Sequence, residues 1–251
     1  MAADCSDTVA LGQPAGDALF AEIPLPATGA RAGISLARAG DMDLARRGDL
    51  PWRGRMFSAL GADPSRVRCV RQVHSRTVVR IDGTEPPDGP FPEADGMVSD
   101  RPDLLLTVTV ADCLPIFLVD RRTGAFGLVH SGWKGTGIAL EAIRLMGTAF
   151  GTRPVDLAVT IGPGIGPCCY TVPADRYERF RDGFGPGSVL LGVDGTYRLD
   201  LRAANAALLE REAVGDVAVV SDCTSCNPLL GSFRREGAGF TRMLAFIGGR
   251  S

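Results

Sequence analysis

At 251 residues, 45% hydrophobic and 22% charged, the chain has the make-up of an ordinary globular protein of one large domain or two small ones. A net charge of −2 with no block of like charge argues against nucleic-acid binding as a main role, and no apolar run reaches the roughly 18 residues of a membrane span. The N-terminus lacks the basic and apolar regions of a signal peptide, so the seven irregularly spaced cysteines read as free thiols or ligands in a cytoplasmic protein, not as a disulfide framework.

Residues 1–22 are weakly patterned and are expected to form a flexible N-terminal arm carrying Cys5, which leaves 23–251 as a single domain. Pro24 to Gly40 is turn-rich. Asp49 to Gly61 suits a short helix opening near Pro51, with Arg53 and Arg55 on it. Val67 to Val73 reads as a strand ending on His74, with a second strand, TVVRI, just beyond. Ala94 to Asp100 reads as a turn into a central hairpin. Its first strand, Leu104 to Val110, is apolar and β-branched and closes on Asp112-Cys113; a second strand and a short turn follow. The next run, Ala125 to Val129, ends in His130 and a Gly-rich loop. Ile138, Ala142, Leu145 and Ala149 fall on one face of a helix spanning Ile138 to Phe150. Val155 to Ile161 is a strand that runs into a Gly/Pro-rich segment ending in Cys168-Cys169. Asp175 to Phe180 suits a helix, Tyr197 to Leu201 a short strand and Arg202 to Ala213 an Ala/Leu-rich helix. Val217 to Val220 is a strand leading into Cys223-Thr224-Ser225-Cys226, and Phe240 to Ile247 a last one. Strands outnumber helices and several are joined by short turns, which predicts mixed or antiparallel sheets with helices outside them.

His74, Cys113 and His130 share one context, each at the end of a strand, and the chain has no other histidine. Two imidazoles and a thiolate make a three-ligand set for Zn²⁺ with a fourth position left for water or substrate. The same residues also make a nucleophilic thiol with a histidine base, and singly each suits a structural role. The loop His130-Ser131-Gly132-Trp133-Lys134-Gly135-Thr136-Gly137 enters a helix, where free backbone N–H groups and Lys134 favour an anion, although the phosphate-binding order GxxxxGK[ST] is missing. Cys223 and Cys226 form a CxxC whose nearest cysteine partners, Cys168 and Cys169, are adjacent in sequence and awkward as joint ligands; structural thiols are the simpler reading. Asp95 and Asp112 flank the ligand strands and suit either turn capping or orientation of a histidine.

The segments RQVHS, ADGMVSD, TVADCLPIFLVD, GLVHSGWKGT, IGPGIGPCCYTV, LDLRAAN and DCTSC…SFRREG resemble, in the same order, those of the laccase-domain family, formerly called multicopper polyphenol oxidases and now described as purine nucleoside phosphorylases. The likeness runs from about Arg31 to Phe246. It implies an α+β fold with a four-layer α/β/β/α arrangement of mixed, largely antiparallel sheets. It also implies a zinc site of His74, Cys113 and His130. The implied activity is phosphorolysis of adenosine, inosine, guanosine and methylthioadenosine, with adenosine deamination. Where the family has an Asn-Arg pair this chain has Trp52-Arg53; Thr171 and Thr241 stand in place of the usual Glu and Gly.

The leading expectation is therefore a zinc-dependent purine nucleoside phosphorylase with adenosine deaminase activity. His74, Cys113 and His130 would be metal ligands and catalytic residues, with Arg53 and Lys134 taking the phosphate. Partners would be purine nucleosides and phosphate, with no nucleic acid and no membrane, for a monomer or homodimer. The alternative is a cysteine hydrolase or amidase acting on peptidoglycan precursors with Cys113 as nucleophile. A four-copper laccase needs on the order of ten histidines, whereas this chain has 2; copper at the zinc position is the remaining, less favoured, metal.

Overall fold

The computed structural model describes residues 7–248 apart from 13, 15, 27, 28, 45–51, 87 and 88. In chain order the first elements are β1 (Asp7–Val9), β2 (Phe20–Glu22), β3 (Arg31–Ser35), α1 (Trp52–Leu60), β4 (Val67–Cys69), β5 (Val78–Arg80) and β6 (Gly96–Ser99). The middle of the chain holds β7 (Leu105–Val110), β8 (Leu114–Asp120), β9 (Phe126–Ser131), α2 (Ile138–Phe150), β10 (Leu157–Ile161) and α3 (Ala174–Phe184). The rest comprises β11 (Val189–Leu191), β12 (Tyr197–Leu199), α4 (Leu201–Arg211), β13 (Asp216–Val220), α5 (Phe233–Glu236) and β14 (Met243–Gly248).

Two large sheets stack. One has seven strands in the order β1-β13-β10-β8-β9-β6-β5 and the other five, β2-β3-β14-β7-β4; β11 and β12 form a separate pair. Most pairings are antiparallel, while β1 and β10 run parallel to β13, β5 to β6 and β4 to β7. All seven residues of β8 are buried, and their alternation explains why. Leu114, Ile116 and Leu118 pack with Ile138, Ala142 and Met146 of α2 and with Leu201, Ala204 and Leu209 of α4. Phe117 and Val119 point the other way, into a core shared with Ile34, Leu106, Val108 and Val110 of the second sheet. That sheet's far face is covered in turn: Leu244 and Phe246 of β14 pack with Met56 and Phe57 of α1. Period-two strands buried on both faces thus build the expected α/β/β/α stack. No helix among the described residues is long and apolar enough to cross a membrane.

Three local expectations are revised. Cys5 lies outside the described residues, but within the expected N-terminal arm residues 7–9 and 20–22 are β1 and β2, which join the two sheets by pairing with β13 and β3. Residues 96–99 are a strand, not a turn; Gly96 is small because a Cβ there would lie 2.6 Å from Val129 Cγ1 on the neighbouring β9. Finally, β7 and β8 do not pair as a hairpin. They belong to different sheets, and the chain crosses between the sheets at Ala111–Cys113, with Asp112 at φ 79°. An apolar strand buried on both faces reads the same whether its successor lies beside it or in the layer below.

Candidate active site

His130 is the penultimate residue of β9, Cys113 sits at the crossing between the sheets, and His74 lies beyond β4 at φ 58°. Their metal-capable atoms all lie within 4.8 Å of one another, and the two imidazole rings meet edge to face with centroids 4.9 Å apart. Three remote segments thus converge, although β4 stops at Cys69, short of the strand end expected at His74, and of the three only His130 lies within a strand. Gly132, just after β9, leaves room for them: a Cβ there would meet Cys113 Sγ at 2.8 Å.

Asp95, wholly buried, organises the two histidines. Its Oδ1 lies 2.9 Å from His130 Nδ1 and accepts the His74 backbone N–H at 3.0 Å. Its Oδ2 accepts the amides of Val73 and Ser75, at 3.2 and 2.6 Å, and the Ser75 hydroxyl at 2.8 Å. Three consecutive amides converge on one carboxylate because His74 adopts the left-handed conformation, uncommon for a residue with a side chain. Burial alone would raise the Asp95 carboxyl, but hydrogen bonds from His130 and Ser75 outweigh it and hold the group at about 2. An ionised Asp95 keeps the hydrogen of His130 on Nδ1, so Nε2 is the nitrogen open to a cation.

Burial likewise opposes the Cys113 thiolate, yet the charge and hydrogen bond of His130, aided by His74, bring the thiol down to about 6. The reciprocal effect raises His130, against its burial, because Cys113 and Asp95 both favour the protonated ring. A thiolate and two imidazoles are the donors a divalent zinc ion takes when three protein ligands leave one position free, so the set fits a metal. Asp112, the other carboxylate considered for orienting a histidine, does something else. It accepts the hydroxyls of Thr224 and Ser232 at 2.6 and 2.7 Å and the Arg234 amide at 2.7 Å, stapling the crossing to the C-terminal segment.

The triad lines a cavity of about 810 Å³, within the roughly 300–1,000 Å³ range of small-molecule sites. Its walls carry the rings of Phe91, Trp133, Tyr170, Phe233 and Phe240. Four arginines also line it: Arg71, Arg176, Arg234 and Arg242. Arg71 pairs with Glu93, and Arg242 with Asp41 and Asp43. Arg176 and Arg234 form no ion pair among the described residues. Arg176 stacks 4.1 Å from the Trp133 ring centroid, and Arg234 bonds the Cys169 and Thr171 carbonyls while lying 5.6 Å from the Tyr170 ring.

The two residues expected to take phosphate are not in these walls. Arg53 donates to the Met42 carbonyl at 3.1 Å and lies over Phe57, while Lys134 is exposed beside Trp133. Arg176 and Tyr170 escape a reading by sequence because they come from segments whose only local signal is a charge or a ring.

Residues 51–250 match the family model described as multi-copper polyphenol oxidoreductase laccase. A Geobacillus stearothermophilus protein named purine nucleoside phosphorylase YlmD is 37% identical over 212 residues, covering 79% of this chain and 77% of that protein. A Deinococcus radiodurans protein named purine nucleoside phosphorylase is 35% identical over 233 residues, covering 90% of this chain and 89% of its own length. The crystal structure of YlmD from Geobacillus stearothermophilus superposes with a TM-score of 0.88 at 32% identity, covering 96% of this chain and 99% of that one.

Proposed function

The chain belongs to the multi-copper polyphenol oxidoreductase laccase family, and from that premise we propose that it is a zinc-dependent purine nucleoside phosphorylase. The relatives named purine nucleoside phosphorylase support the reading. The observation that carries it is the His74–Cys113–His130 set opening into a cavity walled by flat rings and by two arginines that form no ion pair among the described residues. Adenosine, inosine, guanosine and methylthioadenosine are the substrates proposed, with deamination of adenosine as a second activity.

In phosphorolysis a phosphate oxygen attacks the ribose C1′ while the bond to the purine nitrogen breaks, giving ribose 1-phosphate and free base. Charge moves from the anion toward the base, so catalysis calls for fixed cations around phosphate and a donor on the base. Arg176 and Arg234 are the cations proposed for phosphate, in place of Arg53 and Lys134, because guanidinium forks match phosphate oxygens. The rings of Trp133 and Tyr170 give a purine faces to stack on. Burial and the nearby Cys113 charge raise the Tyr170 phenol, partly countered by Arg176, so its hydroxyl keeps its hydrogen and can donate to the departing base. His74, Cys113 and His130 would hold the metal, which when bound supplies Lewis acidity. Closing the fourth side of that set with substrate would exclude water from the reacting atoms.

The direct test is hypoxanthine release from inosine by zinc-loaded protein, with and without phosphate. Phosphate-dependent release is expected, and no release in either case overturns the proposal. Cys113→Ala is expected to lose turnover and the metal held by this set while its circular dichroism stays that of the wild type; a fully active variant would contradict the assignment.

The lowered Cys113 thiol favours a second reading, a cysteine hydrolase or amidase acting on peptidoglycan precursors. Iodoacetamide separates the two. Cys113 in freshly purified protein is shielded if it ligates a metal and is carbamidomethylated if it is a free nucleophile.

A further inference from the structure

Four of the other cysteines, Cys168, Cys169, Cys223 and Cys226, converge as well. Their two loops, residues 162–169 after β10 and 221–226 after β13, leave the same end of two parallel neighbouring strands. A bridge between Gly164 and Cys223 prolongs that pairing, with the Thr224 amide donating to the Gly164 carbonyl at 3.0 Å. A tight turn at 167–169, closed by the Cys169 amide on the Gly166 carbonyl at 2.9 Å, brings both adjacent cysteines to the CxxC. Cys168 Sγ and Cys169 Sγ lie 3.6 and 3.4 Å from Cys226 Sγ. All four sulfurs lie within 4.8 Å of one another. Four sulfurs around zinc, each about 2.3 Å from it, sit about 3.8 Å apart. A disulfide would use two of the four and needs about 2.05 Å between sulfurs; these cysteines are free.

The backbone is arranged for sulfur that carries charge. Cys223 Sγ accepts the Gly166 N–H at 3.1 Å and is also faced by the Ser225 and Cys226 amides, the donors that a CxxC turn folded around its first sulfur presents. Three arginines ring the two loops. Arg202 bonds the Ser221 carbonyl, Arg234 the Cys169 and Thr171 carbonyls, and Arg235 the Thr224 carbonyl. They would offset the charge of about −2 left when a divalent ion meets four thiolates.

We propose that Cys168, Cys169, Cys223 and Cys226 form a second metal site, a tetrathiolate zinc centre with a structural role, separate from the His74–Cys113–His130 set. The thiols lose their protons to solvent on binding, and no redox step is involved. Four protein sulfurs leave no position for substrate, which marks the centre as structural. Its place says what it steadies. Cys169 and Thr171 hold Arg234 by their carbonyls and flank Tyr170, so the centre anchors the wall of the cavity that carries both.

The experiment is metal analysis of the full chain purified under reducing conditions with zinc, read by mass spectrometry and by release of zinc to a chromophoric chelator on titration with a mercurial. About two equivalents are expected for wild type and about one for His74→Ala/Cys113→Ala, whose remaining zinc comes off only with the mercurial. Cys226→Ser is expected to drop wild type to about one equivalent. Cobalt in the double variant should give the absorption of tetrahedral sulfur-only coordination. A folded double variant that binds no metal overturns the proposal, as does a Cys169–Cys226 disulfide in the freshly purified protein. Because the double variant lacks the nucleoside site, either result is independent of whether nucleosides are cleaved.

Discussion

Asp95 reaches His130 through a ring nitrogen and His74 through the backbone, so one buried carboxylate sets the direction of both imidazoles. Asp95→Asn keeps the shape but loses the charge, and its amide can no longer accept from every donor around it. Metal affinity at the His–Cys–His set is expected to fall about 10- to 100-fold, as for other partners of metal-bound histidines, measured by competition with a chromophoric chelator. An unchanged affinity would mean that the histidines are held by packing alone. Arg176 is the cavity cation that rests on an indole and forms no ion pair among the described residues. Arg176→Ala should raise the KM for phosphate about 10- to 100-fold, the loss of a charged hydrogen bond of roughly 1.5–3 kcal/mol, and leave the nucleoside KM nearly unchanged. Equal effects on both would assign it to the nucleoside instead. The triad itself is legible in the sequence because two histidines and a cysteine each follow a strand-like run, although β4 itself stops at Cys69. The cavity arginines are not, since nothing local separates Arg176 from a solvated helix residue, and Lys134, in a loop suited to anions, turns outward.

Among the elements, the turn after β9 is held to glycine by the Cys113 sulfur it borders. Gly132→Ala would press a methyl carbon against Cys113 Sγ, and the sulfur must move for it to fit. Reduced metal occupancy with an unchanged circular dichroism spectrum is the expected outcome, and full occupancy would show that the loop yields instead. Periodicity reads the helix at Ile138–Phe150 with its observed bounds, because its apolar face is regular and Gly151 closes it at φ 69°. It misreads β6 because Asp95 and Gly96 look like turn residues: one is a buried anchor and the other makes room for Val129. It also misses the thiol cluster, since adjacency in sequence says nothing of a turn that aims two neighbouring side chains at one point.

At the scale of the molecule, the two sheets are held by a shared apolar layer in which Phe117 and Phe126 are almost fully buried. Phe117→Ala should cost about 3–5 kcal/mol in denaturant unfolding; a loss below about 1 kcal/mol would mean that the layer collapses into the gap. The number of layers is legible only through resemblance, because apolar strands carry no mark of which sheet they join. The two sheets share no strand among the described residues. His130 belongs to one, His74 trails the edge strand of the other, and Cys113 rides the chain between them. A cation gripped by all three would therefore act as a rivet through both halves, and its removal should be felt far from any substrate. With free metal a thousandfold above its dissociation constant, the rivet contributes about 4 kcal/mol. A chelator should then lower the Tm of the wild type but much less that of His74→Ala/Cys113→Ala, and speed amide exchange in β4 and β9 together. Equal shifts in the two proteins would show that the halves hold without it.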